Sequence, residues 1–238
     1  MKKFIITTAL SLAVTGAAFA QGAVNWGSIS FTSVTAQTNS TQYSPLFGGG
    51  TTGGGAIGNA GGSYAGGAAF YYELLVGSVW SGAAQAAPAT VSALASWTDS
   101  TLGATNSNTA GRLTVMGANA GATVNALSST ESNSIILVGW SANLGTTWSA
   151  ALASLNNPKN IVGTGFFGET GVGVLEAAAL PTSVGNNVFG SAAQSYGIPI
   201  YSLNTQLYEI QAGAVPEPGT LALAALGGAS LLMFRRKK

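Results

Sequence analysis

The chain of 238 residues has no cysteine and no histidine, and only 6% of its residues are charged. Without cysteine there is no disulfide, no thiolate nucleophile and no cysteine-ligated metal. Without histidine the usual general base, the common serine triad and most zinc sites are excluded. The scarce charge is also unevenly placed. Of the eight Lys and Arg, six (Lys2, Lys3, Arg235, Arg236, Lys237 and Lys238) stand at the two ends. Only Arg112 and Lys159 fall within 21–215, against the six acids Glu73, Asp99, Glu131, Glu169, Glu176 and Glu209, so this body carries −4 while the whole chain carries +1. Two cations make no basic patch, which argues against nucleic acid and anionic membrane surfaces as partners.

What is present is glycine, 34 residues of it, with much Ser, Thr, Asn and Ala. Such a composition favours turns and short strands over long helices, and a surface solvated by neutral polar groups. The roughly 195 residues between the ends suffice for one domain.

Both ends read as targeting segments. Lys2 and Lys3 precede a mostly apolar stretch from Phe4 to Phe19, and Ala18-Phe19-Ala20 is a small-x-small cleavage site. Residues 1–20 are expected to be a secretory signal peptide, leaving Gln21 as the mature N-terminus and signal peptidase and the secretion machinery as partners. At the other end Val215-Pro216-Glu217-Pro218-Gly219-Thr220 is followed by the 16 apolar residues Gly219–Phe234, then Arg235-Arg236-Lys237-Lys238. As a transmembrane helix those 16 residues would be roughly 24 Å long against a hydrocarbon core of about 30 Å, short for a lasting span. Gly227-Gly228 weakens the helix further. The basic cluster acts as a stop held on the cytoplasmic side. Two prolines keep the tripeptide extended, and Glu217 presents one charge beside the membrane.

A turn-forming tripeptide, an apolar segment and a cationic stop in this order resemble the PEP-CTERM sorting signal of Gram-negative bacteria. The resemblance covers 215–238. It implies recognition by exosortase, a membrane-embedded transpeptidase-like protease, with cleavage at or near Pro216, Glu217 and Pro218. It also implies a host that makes extracellular polysaccharide. The stretch Val138–Trp148 resembles a segment of PEP-CTERM proteins of verrucomicrobial type.

Within the body, 21–214, short strand patterns dominate. Val24–Phe31, Ala69–Val76, Thr90–Trp97, Gly111–Met116, Ile135–Trp140, Ile161–Phe167, Val172–Leu175 and Thr205–Gln211 all read as strands, with Ile135–Trp140 central. Trp148, Ala151, Leu152 and Leu155 recur at helical spacing, with Thr146 or Thr147 as cap and Asn156-Asn157-Pro158 as stop. The segment 48–67, with 11 glycines, is expected as a mobile surface loop. The expected fold is mainly β: a single antiparallel β-sandwich or jelly-roll-like domain with one short helix, plus the C-terminal transmembrane helix.

No motif in the body points to a catalytic, cofactor-binding or metal-binding residue. Gly163-Thr164-Gly165-Phe166-Phe167-Gly168 spells a dinucleotide fingerprint, but Gly171 and Gly173 follow where a helix must begin. Asp99, Glu169 and Glu176 are the acids considered for glycoside hydrolysis, and no calcium-loop cluster accompanies them. The five tryptophans and seven tyrosines could form either core or a sugar-stacking face. The expectation is an exported, non-enzymatic surface or matrix protein associated with extracellular polysaccharide. A glycan-binding module or adhesin is the alternative, and a carboxylate hydrolase the third reading.

Overall fold

Aromatic and branched residues bounded by glycine set the strands of this chain. The structure, a computed structural model, describes residues 21–27, 34–51, 54–117, 121–182, 184–190, 197–200 and 205–211. The strands begin with β1 (Gly22–Asn25), β2 (Ala36–Tyr43), β3 (Ile57–Asn59), β4 (Ser63–Tyr64), β5 (Gly67–Ala68) and β6 (Phe70–Val79). Then come β7 (Thr98–Asn106), β8 (Leu113–Val115), β9 (Ala122–Val124), β10 (Asn133–Ser141) and β11 (Phe166–Glu169). Last are β12 (Gly173–Leu175), β13 (Ala178–Ala179), β14 (Asn186–Asn187) and β15 (Thr205–Glu209). Two α-helices, α1 (Val91–Leu94) and α2 (Trp148–Leu155), join them.

The large sheet runs β3-β2-β15-β11-β10-β6-β7-β8, with β12 also on β10. A small sheet runs β13-β1-β14, with β9 on β1. The fold is mainly β, as expected, and the described residues of the body hold two helices where one was expected. Most ladders are antiparallel, but β15 joins β2, and β14 joins β1, in parallel.

Side-chain alternation along β6 and β10 divides the interior into two cores. Tyr72, Leu74 and Val76 face Ile135 and Leu137 on one side, packed against Val24, Val124 and Val188 of the small-sheet region. Tyr71, Leu75, Ile136, Val138 and Trp140 face the other way, against Leu94 of α1 and Trp148, Ala151 and Leu155 of α2. The molecule is thus layered small sheet, large sheet, helices. Because β10 is covered on both faces, all nine of its residues are buried, which explains its unbroken apolar run. Gly139 interrupts that run because a Cβ there would lie 2.6 Å from Tyr72 Cδ1 and 2.9 Å from Leu207 Cδ2.

Helix α2 forms where the stripe and the cap agree. The Thr147 hydroxyl accepts from Ala150 N at 3.3 Å, and Trp148, Ala151 and Leu155 turn inward. Trp148 packs on Trp140 (ring centroids 5.7 Å) and Phe167 (6.4 Å). Trp140 in turn stacks on Tyr71 and donates its indole N–H to Gly145 O at 2.8 Å.

Several expectations need correction. Thr90–Trp97 is not a strand: Thr90 caps α1 by accepting from Ala93 N at 3.2 Å, and Leu94 and Trp97, three apart, are the buried pair. In so short a window, strand and helix periods overlap. The strand expected over Ile161–Phe167 begins only at Phe166, and the first strand ends at Asn25. Ser28–Phe31 of that first expectation lie outside the described residues. The glycine-rich segment 48–67 is mostly exposed, as a surface loop should be, yet it also supplies β3, which pairs with β2, and the small β4–β5 hairpin. The expected transmembrane helix over 219–234 lies outside the described residues. Among those described, no helix is long and apolar enough to cross a membrane.

Trp140→Ala, which removes an indole 1% exposed, should lower unfolding stability by about 3–5 kcal/mol. Thr147→Ala should lower it by about 1 kcal/mol through the lost cap. Denaturant unfolding of the two variants measures both, and an unchanged midpoint for Trp140→Ala would refute the two-core description.

Candidate functional site

The sheet register decides which acids meet. Val138 of β10 lies opposite Glu169 of β11 on one side and Glu73 of β6 on the other. Directly opposed residues point to one face. The two glutamates therefore share the helix-covered face with Val138 between them, their backbones two strand spacings, roughly 10 Å, apart. Asp99 joins this row through an irregularity in β7. Between its pairings with Gly103 and Asp99, β6 advances from Glu73 to Leu75, so β7 carries two extra residues. Thr101 at the bulge has φ 63°, and its N–H donates to Asp99 Oδ1 at 2.7 Å. The bulge brings the Asp99 carboxylate within hydrogen-bonding reach of Glu73.

Burial dominates the electrostatics. Glu73 is pushed up from 4.5 to about 9, first by desolvation, then by the negative charge of Asp99 and a side-chain hydrogen bond to it. Glu169 is pushed up to about 7 by burial. One oxygen of each, Glu73 Oε1 and Glu169 Oε2, is buried without a hydrogen-bond partner. Burial thus favours the protonated form of Glu73 beside Asp99 at neutral pH, and it holds Glu169 well above the usual carboxylate range.

Of the three acids read from the sequence, the structure brings Asp99 and Glu169 to this face and leaves Glu176 out. Glu176 follows β12, where its carbonyl accepts from Asn186 Nδ2 at 2.8 Å. Glu73 was missed. It sits inside the best strand signal of the chain, and a charged residue at an inward position of such a strand was the available clue.

Two concavities flank these elements. A cleft of about 330 Å³ is lined by Ser44, Pro45, Leu46, Pro88, Ala89, Gly168, Glu169 and Tyr208. An open groove of about 540 Å³ lies elsewhere, over β4–β5 and the end of β7, and its lining includes Ser63, Thr105, Ser107, Asn108, Thr109 and Thr114, with no charged side chain. Asn106 anchors the groove wall, accepting from Phe70 N at 2.9 Å and donating to Gly62 O at 3.0 Å.

The tryptophans do not make a sugar-stacking face. Trp26, Trp97, Trp140 and Trp148 are core, and Trp80 alone of the five is exposed, at 45%. The literal dinucleotide fingerprint ends in strand β11 rather than opening a helix. Among the described residues no group of three acids could hold a metal ion. Of the sorting residues, Gln21 stands half-buried at the head of β1. Ala18, Ala20, Pro216, Glu217, Pro218 and Arg235, Arg236, Lys237 and Lys238 lie outside the described residues.

The raised carboxyl groups fix the sign of a pH dependence. Each is protonated in the folded chain above the pH at which it ionises unfolded, so the folded state binds more protons and stability falls as pH rises. For Glu73 the loss spans the window from its ordinary value near 4.5 up to about 9. Glu73→Gln should flatten the decline between about pH 5 and 9 and raise the melting temperature most at the alkaline end. Melting curves across that range that match the native chain at every pH would show that Glu73 is not held neutral.

Residues 214–237 match the family model described as the PEP-CTERM protein-sorting motif. No curated protein and no solved structure matches the chain. The motif spans the tripeptide, the apolar run and all but the last of the four terminal cations. The chain carries a PEP-CTERM protein-sorting motif, and with it the mark of an exported protein of Gram-negative bacteria, targeted to exosortase for anchoring at the surface.

Proposed function

We propose that this protein is a non-enzymatic, exosortase-processed component of the cell surface or extracellular matrix, associated with extracellular polysaccharide. The observation that carries the reading is the sorting motif at 214–237. On this reading residues 1–20 direct export and are removed, Gly219–Phe234 holds the chain briefly in the membrane, and cleavage falls at or near Pro216-Glu217-Pro218. The composition of the body supports a structural role. Residues 21–215 are rich in Ser, Thr and Asn and hold only two cations and six acids.

The open groove favours a second reading, binding of a neutral glycan. Hydroxyl and amide groups from Ser63, Thr105, Asn108, Thr109 and Thr114 offer both donors and acceptors without a charge that would select an ionic ligand. The same groove holds no carboxylate pair, so a bound sugar would meet no general acid and base there.

Mass spectrometry of the chain recovered from the host's extracellular fraction tests the processing. It should begin at Gln21 and end near Pro216–Pro218. Extracellular chains that retain Arg235–Lys238 would overturn cleavage by exosortase. Thr114→Trp, at an exposed position opposite Thr105 on the edge strand β8, should block the groove while leaving the fold intact. Retention of this variant on neutral polysaccharide should fall about tenfold, which is about 1.4 kcal/mol. Unchanged retention removes the groove from the account.

A further inference from the structure

One tyrosine beside the open groove has its ring and its hydroxyl in different surroundings. Tyr71 of β6 is 9% exposed, and its ring stacks on Trp140 with centroids 6.4 Å apart. Its hydroxyl makes no hydrogen bond with any described residue. The hydroxyl of the neighbouring Tyr72, on the opposite face, is unpartnered and sealed from solvent, whereas that of Tyr71 keeps accessible surface. Two groove residues show where that surface lies. Gly67 lines the groove, and a Cβ there would stand 3.1 Å from Tyr71 Oη. Among the described residues that Cβ would otherwise approach only the Tyr64 carbonyl oxygen, at 3.7 Å, so the space is open. Thr105, also in the lining, lies directly opposite Tyr71 across β6 and β7, and Thr114 lies opposite Thr105. Opposed residues share a face, so Tyr71, Thr105 and Thr114 form one rung, and the Tyr71 hydroxyl meets the groove at Gly67.

A phenol hydroxyl both gives and takes hydrogen bonds. The stack on Trp140 fixes where this one points, so a ligand meets it with little ordering cost. A sugar hydroxyl, itself donor and acceptor, matches it and is small enough to stand beside Gly67. Charge sets the class of sugar. Neither cation of the body, Arg112 or Lys159, lines the groove. Two residues along the same face, about 7 Å, Glu73 lies opposite Gly103 with the Asp99 carboxylate in hydrogen-bonding reach. A uronic acid brought to Tyr71 would meet that negative charge with no cation to balance it.

We infer that Tyr71 is the anchoring residue of the groove, its hydroxyl forming a hydrogen bond with a hydroxyl of a neutral sugar unit that enters beside Gly67. The inference rests on the glycan reading of the groove and adds to it the residue that fixes the sugar and the exclusion of uronic acid chains. Thr105 and Thr114 continue the rung, so the bound glycan extends from Tyr71 toward the β8 edge. The Tyr71 ring stays in the core, and its contribution is the hydroxyl rather than a stacking face.

Retention of the full chain, in detergent micelles, on the neutral fraction of the host's extracellular polysaccharide tests the inference, with the acidic fraction separated by anion exchange as its counterpart. Tyr71→Phe keeps the ring and its stack and removes only the hydroxyl. It should leave the melting temperature unchanged, since that hydroxyl has no partner to lose, and lower retention about threefold to tenfold, the worth of one hydrogen bond. Gly67→Ala, at a position without a left-handed φ, should lower retention by a similar factor by setting a methyl against the hydroxyl. Tyr72→Phe, which removes the sealed hydroxyl of the other face, should be retained as the native chain is. The acidic fraction should hold the native chain at least tenfold more weakly than the neutral one. Thr114→Trp separates this inference from the reading beneath it. If that variant is retained like the native chain, the groove fails and Tyr71 with it; if it is lost while Tyr71→Phe is retained, the role of Tyr71 alone is overturned. No retention of the native chain, an equal loss in Tyr72→Phe, or a tighter hold by the acidic fraction would each overturn it as well.

Discussion

Everything in this fold leans on one ladder, the antiparallel pairing of β6 with β10 from Phe70–Ser141 through Val76–Ile135. That pairing makes a two-faced wall. Tyr72, Leu74, Ile135 and Leu137 commit one face to the small sheet, while Tyr71, Leu75, Ile136 and Trp140 commit the other to the helices. Slippage by a single residue would exchange the two sets and drive Glu73 into the opposite core. Gly139 locks the register further, since only a residue without a Cβ lets Tyr72 and Leu207 close over it.

The same register creates the acidic row. Glu73 and Glu169 share a face because both oppose Val138, and Asp99 reaches Glu73 because β7 bulges at Thr101. In a body with two cations there is no inexpensive way to neutralise acids placed there. The fold settles the matter by protonation for Glu73, and it leaves Glu169 poised in a cleft that opens toward solvent. The scarcity of charge along the chain and the raised carboxyl groups are thus one fact seen at two scales.

Much of the fold was legible in the residues, and the limits have physical causes. Ala69–Val76 and Ile135–Trp140 stood out because aromatic and branched residues cluster between glycines. Helix α2 stood out because the stripe from Trp148 to Leu155 and the Thr147 cap agree. Thr90–Trp97 misled because four residues of helix bury only Leu94 and then Trp97, a spacing too brief to separate from alternation. The parallel docking of β15 on β2 and the meeting of Glu73 with Glu169 depend on pairings between strands far apart in sequence, and no local pattern carries them. The acids were correctly seen as few. Which of them would share a face was set by register, so Glu73 was missed and Glu176 wrongly grouped. At the C-terminus the opposite holds: the sorting signal is read along the chain itself, so its tripeptide, apolar run and cations were legible without any fold.

Native-state hydrogen exchange is the most direct check on the central ladder. Leu75, Ile136 and Val138 amides, which face across the β6–β10 ladder, should exchange only through global unfolding and be the slowest in the chain, while the amides of β3, β4 and β5 exchange through local opening orders of magnitude faster. Exchange of the β6 and β10 amides at the rate of those edge strands would contradict the claim that this pairing holds the two cores and the acidic row together.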